Sequence, residues 1–116
     1  MKKTKMLKKN YEFKNVMNRG KYYSGKNIEA FIKDNNKNCN LLGLAISVKA
    51  AKAVKRNRIK RLLRENYKIL EPQLKDGKSI IFLWKKKADI ENATFNNIQK
   101  DMNHIFEKSG IINNKI

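Results

Sequence analysis

The sequence of 116 residues has only one cysteine, one histidine and one proline. Because Cys39 stands alone, an intrachain disulfide and a thiolate metal cluster are both excluded, and we expect a reduced thiol. His104 lies among apolar neighbours in a helical pattern, which is a poor setting for a general base. The carboxylates are scattered, so the sequence predicts no catalytic residue and no metal site in the protein itself.

Long apolar runs are also missing. No stretch approaches the roughly 18 apolar residues of a membrane-spanning helix, and the first residues lack the apolar core of a signal peptide. An acidic membrane surface would call for basic residues interleaved within a wide apolar stripe, or for a lipidation signal, and neither is evident. We therefore expect a cytoplasmic protein that does not bind membranes.

Acidic residues are scarce beside basic ones. The sequence has 10 Asp and Glu residues and 28 Lys and Arg residues, which gives a formal charge of +18. A domain of this size repels itself unless a polyanion neutralises it, so nucleic acid is the first partner to consider. The length fits one domain, and a hydrophobic content of 41% suffices for one modest core.

The N-terminal half is expected to contain a flexible basic arm, a short helix and two strands. The arm spans residues 1–9 and has five lysines, and a single RNA-binding domain would span 10–116. Asn10 is a candidate cap for a helix over about 10–18, and Gly20 supplies a stop signal after it. Segments 28–33 and 41–48 are predicted to pair as an antiparallel hairpin. In the second segment one face is apolar, and Gly43 and Ala45 leave the other face small enough for close approach.

The C-terminal half predicts two helices around a strand. A helical period runs from about 51 to 70, and Pro72 marks its end. The apolar run 78–84 is expected to be a buried strand. A second helical period begins near Phe95 and ends at Ser109 and Gly110. The order of elements predicts a compact α+β sandwich.

The helix over 51–70 has two chemically different sides. Taking 100° per residue, its apolar side is expected to pack on the sheet. The opposite side is basic within a band of about 100°. The apolar set is Ile59, Leu62, Leu63, Asn66, Tyr67, Ile69 and Leu70; the basic set, called here the basic stripe, is Asn57, Lys60, Arg61, Arg64 and Lys68, with Arg58 at its edge.

A basic stripe is often no more than the solvated face of an amphipathic helix. Here four of the five arginines of the chain, Arg56, Arg58, Arg61 and Arg64, fall within nine residues, although lysine is the usual base elsewhere. Guanidinium binds a phosphate bidentately or stacks on a base, which ammonium cannot do. The pattern therefore favours recognition of a nucleic acid.

The segment AVKRNRIKRLLRE, residues 53–65, resembles the RNR signature of the bacterial ribonuclease P protein subunit. The basic N-terminal segment, Phe13 in the first helix and the strands on either side of the signature agree with this family, so the resemblance covers roughly residues 5–110. It implies a two-layer α/β sandwich (ribosomal protein S5 domain 2-like) with a left-handed βαβ crossover. It also implies that ribonuclease P RNA and precursor tRNA are the partners, with no obligate protein partner.

The resemblance further implies how the work is divided. The RNA subunit would cut the 5′ leader from precursor tRNA with Mg²⁺, and the protein would bind the RNA and the leader without holding a cofactor itself. Leader bases would be held in a cleft lined by Phe13, Met17 and Phe31, since aromatic faces hold a single strand with little sequence preference. The resemblance implies that the signature faces RNA through Arg56, Asn57, Arg58, Lys60, Arg61 and Arg64. Lys68 of the basic stripe and Lys49 of the loop before the helix are also predicted to bind RNA.

Two other functions fit the composition. A structural RNA-binding protein of the ribosomal type would be equally basic and would take no part in a reaction. A DNA-binding protein would usually need a helix-turn-helix or a dimerisation element to read the major groove, and the sequence contains neither.

Overall fold

The structure, a computed structural model, describes residues 3–112. Within this range the chain forms a five-stranded sheet and three α-helices, which confirms the α+β class. Two short 3-10 helices, Glu71–Gln73 and Ile90–Asn92, flank β5. The main elements are β1 (Thr4–Met6), α1 (Asn10–Arg19), β2 (Lys21–Ser24), β3 (Ile28–Asp34), β4 (Asn40–Ala45), α2 (Ala53–Leu70), β5 (Lys78–Trp84) and α3 (Phe95–Ser109).

The order of strands across the sheet is β1-β4-β5-β3-β2. β4 and β5 are parallel neighbours joined through α2, whereas β3 pairs with β5 and with β2 in antiparallel fashion. The predicted hairpin between 28–33 and 41–48 is therefore wrong, because β5 lies between these strands. β5 is buried on both faces, through Ile80, Ile81 and Phe82, and such a strand belongs in the centre of a sheet. The handedness of the crossover stays a prediction.

The flexible arm predicted for residues 1–9 is wrong for its described part. Thr4–Met6 pairs with Asn40–Leu42 of β4 in parallel, and the buried Leu7 donates its backbone N–H to Leu42 O at 2.8 Å. The strand was not recognised in the sequence because five lysines in this segment suggested a flexible arm. Lysine is nevertheless common on edge strands, because its charge prevents the strand from pairing with another chain. Residues 1 and 2 of the predicted arm lie outside the described residues.

The two faces of the sheet are covered differently. On one face, called here the sealed face, α2 and α3 enclose the main core, in which Tyr67, Phe82 and Phe106 are fully buried. On the opposite face, called here the open face, α1 alone packs over β3, β4 and β5. There only Leu7, Val16 and Ile81 form the buried cluster, and the hydrophobic residues around them are half-buried.

β1 is tied to α2 from within the sealed face. Thr4 Oγ1 and the Tyr67 hydroxyl share a hydrogen bond of 2.8 Å, and burial raises the pKa of Tyr67 to about 12, so its phenol stays neutral. α2 buries the predicted apolar side except Ile69, which is 52% exposed because it lies at the edge of the arc that faces the sheet. No helix formed by residues 3–112 is long and apolar enough to cross a membrane.

Candidate nucleic-acid interface

The basic stripe lies on the outer side of α2. The inner side of α2 is buried, so the remaining positions of the helix point outward. The buried residues are Ile59, Leu62, Leu63, Asn66, Tyr67 and Leu70. Asn57, Arg61 and Lys68 are exposed, and Lys60 and Arg64 are partly exposed. None of these four cations forms an ion pair within the described part of the chain. They are therefore available to an external anion.

Arg56 and Arg58 differ from the other arginines because each is anchored to a backbone carbonyl. Arg56 Nη1 donates to Ala51 O at 2.7 Å, and Arg58 Nη1 donates to Ala93 O at 2.6 Å. The first contact holds the loop before α2, and the second holds the segment before α3. A guanidinium has five N–H donors, so both side chains keep donors for a ligand. Sequence reasoning missed this second role.

The first turn of α2 has no acidic residue, and Lys52 precedes it without a capping side chain. A carboxylate at this end would normally stabilise the helix through its dipole. Instead, positive side chains meet the positive end of the helix, and the exposed pair Lys55–Glu91, 3.8 Å apart, compensates little. The first turn of α2 therefore has an excess of positive charge, and a bound anion would reduce the repulsion between these charges.

Lys49 lies in the loop between β4 and α2. Its backbone N–H donates to Ser47 Oγ at 3.1 Å, and Ala50 N–H donates to Ser47 O at 3.0 Å, so the loop forms a compact turn. The Lys49 side chain is exposed. Because β4 ends at Ala45, Val48 belongs to this loop and is 73% exposed, contrary to its predicted place in a strand.

The predicted cleft residues Phe13, Met17 and Phe31 come together on the open face. Phe13 and Met17 project from α1, Phe31 projects from β3, and all three are half-buried against one apolar cluster. The small face predicted around Gly43 is confirmed, since a Cβ built there would lie 2.7 Å from Phe13 Cε1. A side chain at this position would push Phe13 off the sheet.

Tyr22 extends the aromatic surface and was missed in the sequence. Its ring centroid lies 5.4 Å from that of Phe31, with the planes tilted by 57°, and 52% of the residue is exposed. Its hydroxyl donates to Glu29, and this hydrogen bond raises the pKa of Tyr22. The available signal was the Tyr22–Tyr23 pair, since two adjacent aromatic residues in a strand, here β2, place one ring on each face of the sheet.

The basic stripe and the aromatic cleft lie on opposite sides of the sheet. α2 packs on the sealed face, whereas Phe13, Met17 and Phe31 belong to the open face. The loop that carries Lys49 connects the two, since it leaves the sheet at Ala45 and enters α2 at Ala53. A ligand that contacts the aromatic cleft, Lys49 and the basic stripe together would pass around the end of β4.

The few residues that could ligate a metal are dispersed in the described part of the chain. Among residues 3–112, no three His, Cys, Asp or Glu side chains lie close enough together to hold a metal ion. His104 is exposed on α3, on an element that carries neither the stripe nor the cleft. The arrangement can bind anions and flat rings.

Comparison with known proteins gives a consistent result. The family model described as Ribonuclease P matches residues 1–110. A ribonuclease P protein component from Clostridium botulinum is 35% identical over 112 residues, which cover 96% of this chain and 99% of that protein. One from Natranaerobius thermophilus is 34% identical over 110 residues, 95% of this chain and 94% of its own.

Solved structures agree in fold. The RNase P protein of Staphylococcus aureus superimposes with a TM-score of 0.81 at 27% identity, covering 93% of this chain and 97% of that one. The RNase P protein of Thermotoga maritima gives a TM-score of 0.80 over 90% of this chain and 96% of its own, and at 20% identity this likeness supports the fold alone.

Proposed function

Because the chain belongs to the family of ribonuclease P protein components, we propose that it is the protein subunit of a ribonuclease P that removes the 5′ leader from precursor tRNA. The family acts in tRNA processing as part of a nuclease. In this proposal the protein works in the cytoplasm, ribonuclease P RNA is its partner and precursor tRNA its substrate. The RNA subunit hydrolyses the phosphodiester with Mg²⁺, and the protein contributes binding.

The observation that carries the proposal is the unpaired basic stripe on a helix with a fully packed inner side. Lys60, Arg61 and Arg64 have no acidic partner among residues 3–112, and α2 cannot rotate them inward without exposing its core. Cations that project from a helix fixed by its packed inner side suit the phosphates of a folded RNA, which also lie at fixed positions. Lys49 and Lys68 extend the same surface at its two ends.

The aromatic cleft supplies the second part of the proposal. Phe13 and Phe31 each pack against the apolar cluster of the open face and remain half-buried, so that part of each residue is accessible. Such half-buried rings stack on unpaired bases without selecting a sequence, and a leader varies in sequence from one precursor tRNA to another. Met17 adds a flexible apolar contact beside them.

The main test is leader removal by a bacterial ribonuclease P RNA at low Mg²⁺, with and without this protein. We expect cleavage that depends on the protein. Tight binding of the protein with unchanged cleavage would favour the alternative of a structural, ribosomal-type RNA-binding protein. Equal affinity for duplex DNA and for the RNA would exclude both functions.

A variant test addresses the stripe. Replacing Arg61 and Arg64 by Ala should weaken binding to the RNA and lower the slope of log affinity against log salt by about 1.4 to 1.8, because each phosphate contact contributes about 0.7 to 0.9. The double variant Lys75→Ala, Lys108→Ala removes the same charge from exposed positions outside α2 and is the control. An equal fall in slope for both variants would remove the stripe from the interface.

A further inference from the structure

One arginine lies outside the helix that carries the basic stripe. Four of the five arginines of the chain belong to the segment 56–64, and the fifth is Arg19, the last residue of α1. A cation in the last turn stabilises a helix through its dipole, but lysine, the usual base of this chain, would do so equally well. The helix dipole therefore does not explain why this position carries a guanidinium.

Arg19 and Lys21 are held close to the sheet by the tight connection between α1 and β2. A single residue, Gly20, separates these elements, and its N–H donates to Val16 O at 2.7 Å. A Cβ at Gly20 would lie 2.5 Å from Val16 O and 3.1 Å from Ile32 O, so this close approach requires glycine. Lys21 then pairs in register with Ile32 of β3. The backbone that carries both cations is therefore fixed by the fold.

The two cations line a surface cavity of about 290 Å³ at the end of the sheet where β3 ends and β5 begins, called here the Arg19 cavity. Lys33 and Lys78 line it too, and Asp34 is the one carboxylate that residues 3–112 contribute to its wall. Asp34 Oδ1 already pairs with Lys78 Nζ at 2.5 Å. Arg19, Lys21 and Lys33 have no ion-pair partner in the described part of the chain. Their mutual repulsion would be relieved by a bound anion.

The wall of the Arg19 cavity also contains a hydroxyl group that lacks a partner. Tyr23 follows Lys21 by two residues, so both lie on the same side of β2, and it packs against the main core. No hydrogen bond joins its hydroxyl to any residue between 3 and 112, whereas the hydroxyls of Tyr22 and Tyr67 each have a partner. A neutral O–H beside several cations suits a phosphate oxygen, which accepts hydrogen bonds from both kinds of donor.

The Arg19 cavity lies at the end of the sheet at which the basic stripe also ends. α2 starts after the loop that carries Lys49 and ends just before the connection to β5, so Lys68 lies near the end where β5 begins. This connection contacts the cavity wall, because Lys75 N–H donates to Ile111 O at 2.8 Å. The apolar part of the wall, Ile32 and Ile111, belongs to the main core and not to the open face. A large RNA that lies along the stripe therefore reaches the cavity beyond the end of α2.

We propose that the Arg19 cavity binds a backbone phosphate of a folded RNA, as a contact point separate from the basic stripe and from the aromatic cleft. This inference rests on the proposed function, in which that RNA is ribonuclease P RNA. Arg19 binds the phosphate through its planar set of donors, and Lys21 and Lys33 add charge. Tyr23 donates its free hydroxyl. Because the backbone beneath these groups is fixed, they suit a phosphate whose position is fixed by the fold of the RNA.

The test measures the affinity of this protein for a bacterial ribonuclease P RNA, without precursor tRNA, over a range of salt concentrations. The cavity variant is Arg19→Ala with Lys21→Ala, both exposed residues. The control is Lys75→Ala with Lys108→Ala, which removes the same charge from exposed positions that do not line the cavity. Urea unfolding of each variant measures whether the fold is kept.

We expect the cavity variant to bind the RNA more weakly and the slope of log affinity against log salt to fall by about 0.7 to 0.9, the contribution of one phosphate contact. The control pair should keep the slope of the unchanged protein.

Two conservative variants separate a phosphate contact from a structural role. Arg19→Lys keeps the charge and should keep the slope, yet it should lower the affinity because ammonium lacks the planar set of donors. Tyr23→Phe should lower the affinity about 2-fold to 10-fold without changing the slope, because the lost hydrogen bond is neutral. Both variants also decide the question if the double Ala variant proves less stable, since neither removes the packing of its side chain.

An unchanged slope in the cavity variant would overturn the assignment. An equal fall in slope in the control pair would do the same, because general charge would then explain the effect. Protein-dependent cleavage of precursor tRNA together with either result leaves the proposed function standing and removes the cavity alone. If the unchanged protein binds the RNA without supporting cleavage, the proposed function fails, and the slopes still decide whether the cavity binds RNA.

Discussion

The sealed and open faces of the sheet are made from the same strands yet differ in what they leave accessible. On β5, Phe82 faces α2 and α3 and is fully buried, and on β3 the neighbouring Phe31 faces α1 and is half-buried. α2 and α3 have 18 and 15 residues, whereas α1 has 10 and covers less area. One face is closed by two long helices, and the other is only partly closed.

The sealed face mainly stabilises the fold, whereas the open face keeps residues accessible for binding. Apolar area removed from water stabilises the fold, and most of that area lies on the sealed face. On the open face the same kinds of residues keep ring surface in contact with water, which weakens their contribution to folding and leaves them free to stack on a ligand. The predictions below test this separation.

The largest effect is expected from matched truncations on the two faces. Phe82→Ala should lower the free energy of unfolding by about 3 to 5 kcal/mol, because it leaves a cavity in a closed core. Phe31→Ala should cost about 1 to 2 kcal/mol, since less apolar area is lost from a half-buried site. Urea unfolding followed by circular dichroism measures both.

The same pair of variants should differ in binding in the opposite order. Phe31→Ala should reduce affinity for leader-bearing precursor tRNA more than for mature tRNA, because a stacked base contributes about 1 to 3 kcal/mol. Phe82→Ala, tested at a temperature where it is folded, should affect both RNAs alike. Equal losses for Phe31→Ala on the two RNAs would mean that this ring only packs the fold.

A smaller effect is expected when the open face is overfilled. Gly43→Ala places a methyl group 2.7 Å from Phe13 Cε1 and should cost about 1 to 3 kcal/mol of stability while displacing the ring from the cleft. The double variant Gly43→Ala, Phe13→Leu should recover stability without recovering leader affinity. Additive losses in this cycle would show that the two positions do not contact each other in solution.

The smallest effect is expected at the edge of the sealed face. Tyr67→Phe removes the hydrogen bond to Thr4 and should cost about 1 kcal/mol, since one buried partner is left unsatisfied. Amide hydrogen exchange should show the loss of protection in β1 before α3. Tyr23→Phe is the control, because no hydrogen bond joins the Tyr23 hydroxyl to any described residue, and it should leave β1 unchanged.

Sequence reasoning succeeded where the signal was local and periodic. The helical period of 51–70 placed Arg61 and Arg64 on the outer side of α2, as the structure shows. It failed for β1, whose three residues are too few for a period, and for the pairing of β3 and β4, which β5 interrupts. The resemblance to a family, not the periodicity, linked Phe13 and Phe31 before the structure placed them in one cluster.

The sequence alone determined the charge of the protein, which follows from its composition. It also determined the period of the helices and the outward side of α2, because these depend on residues within one or two helical turns. The tertiary structure decided which arginines are anchored, since Arg58 reaches Ala93 across 35 residues, and which aromatic rings stay accessible. It also placed Arg19 of α1 and Lys78 of β5 around one cavity. Contacts between distant segments depend on how elements pack, and no local pattern in the chain specifies that packing.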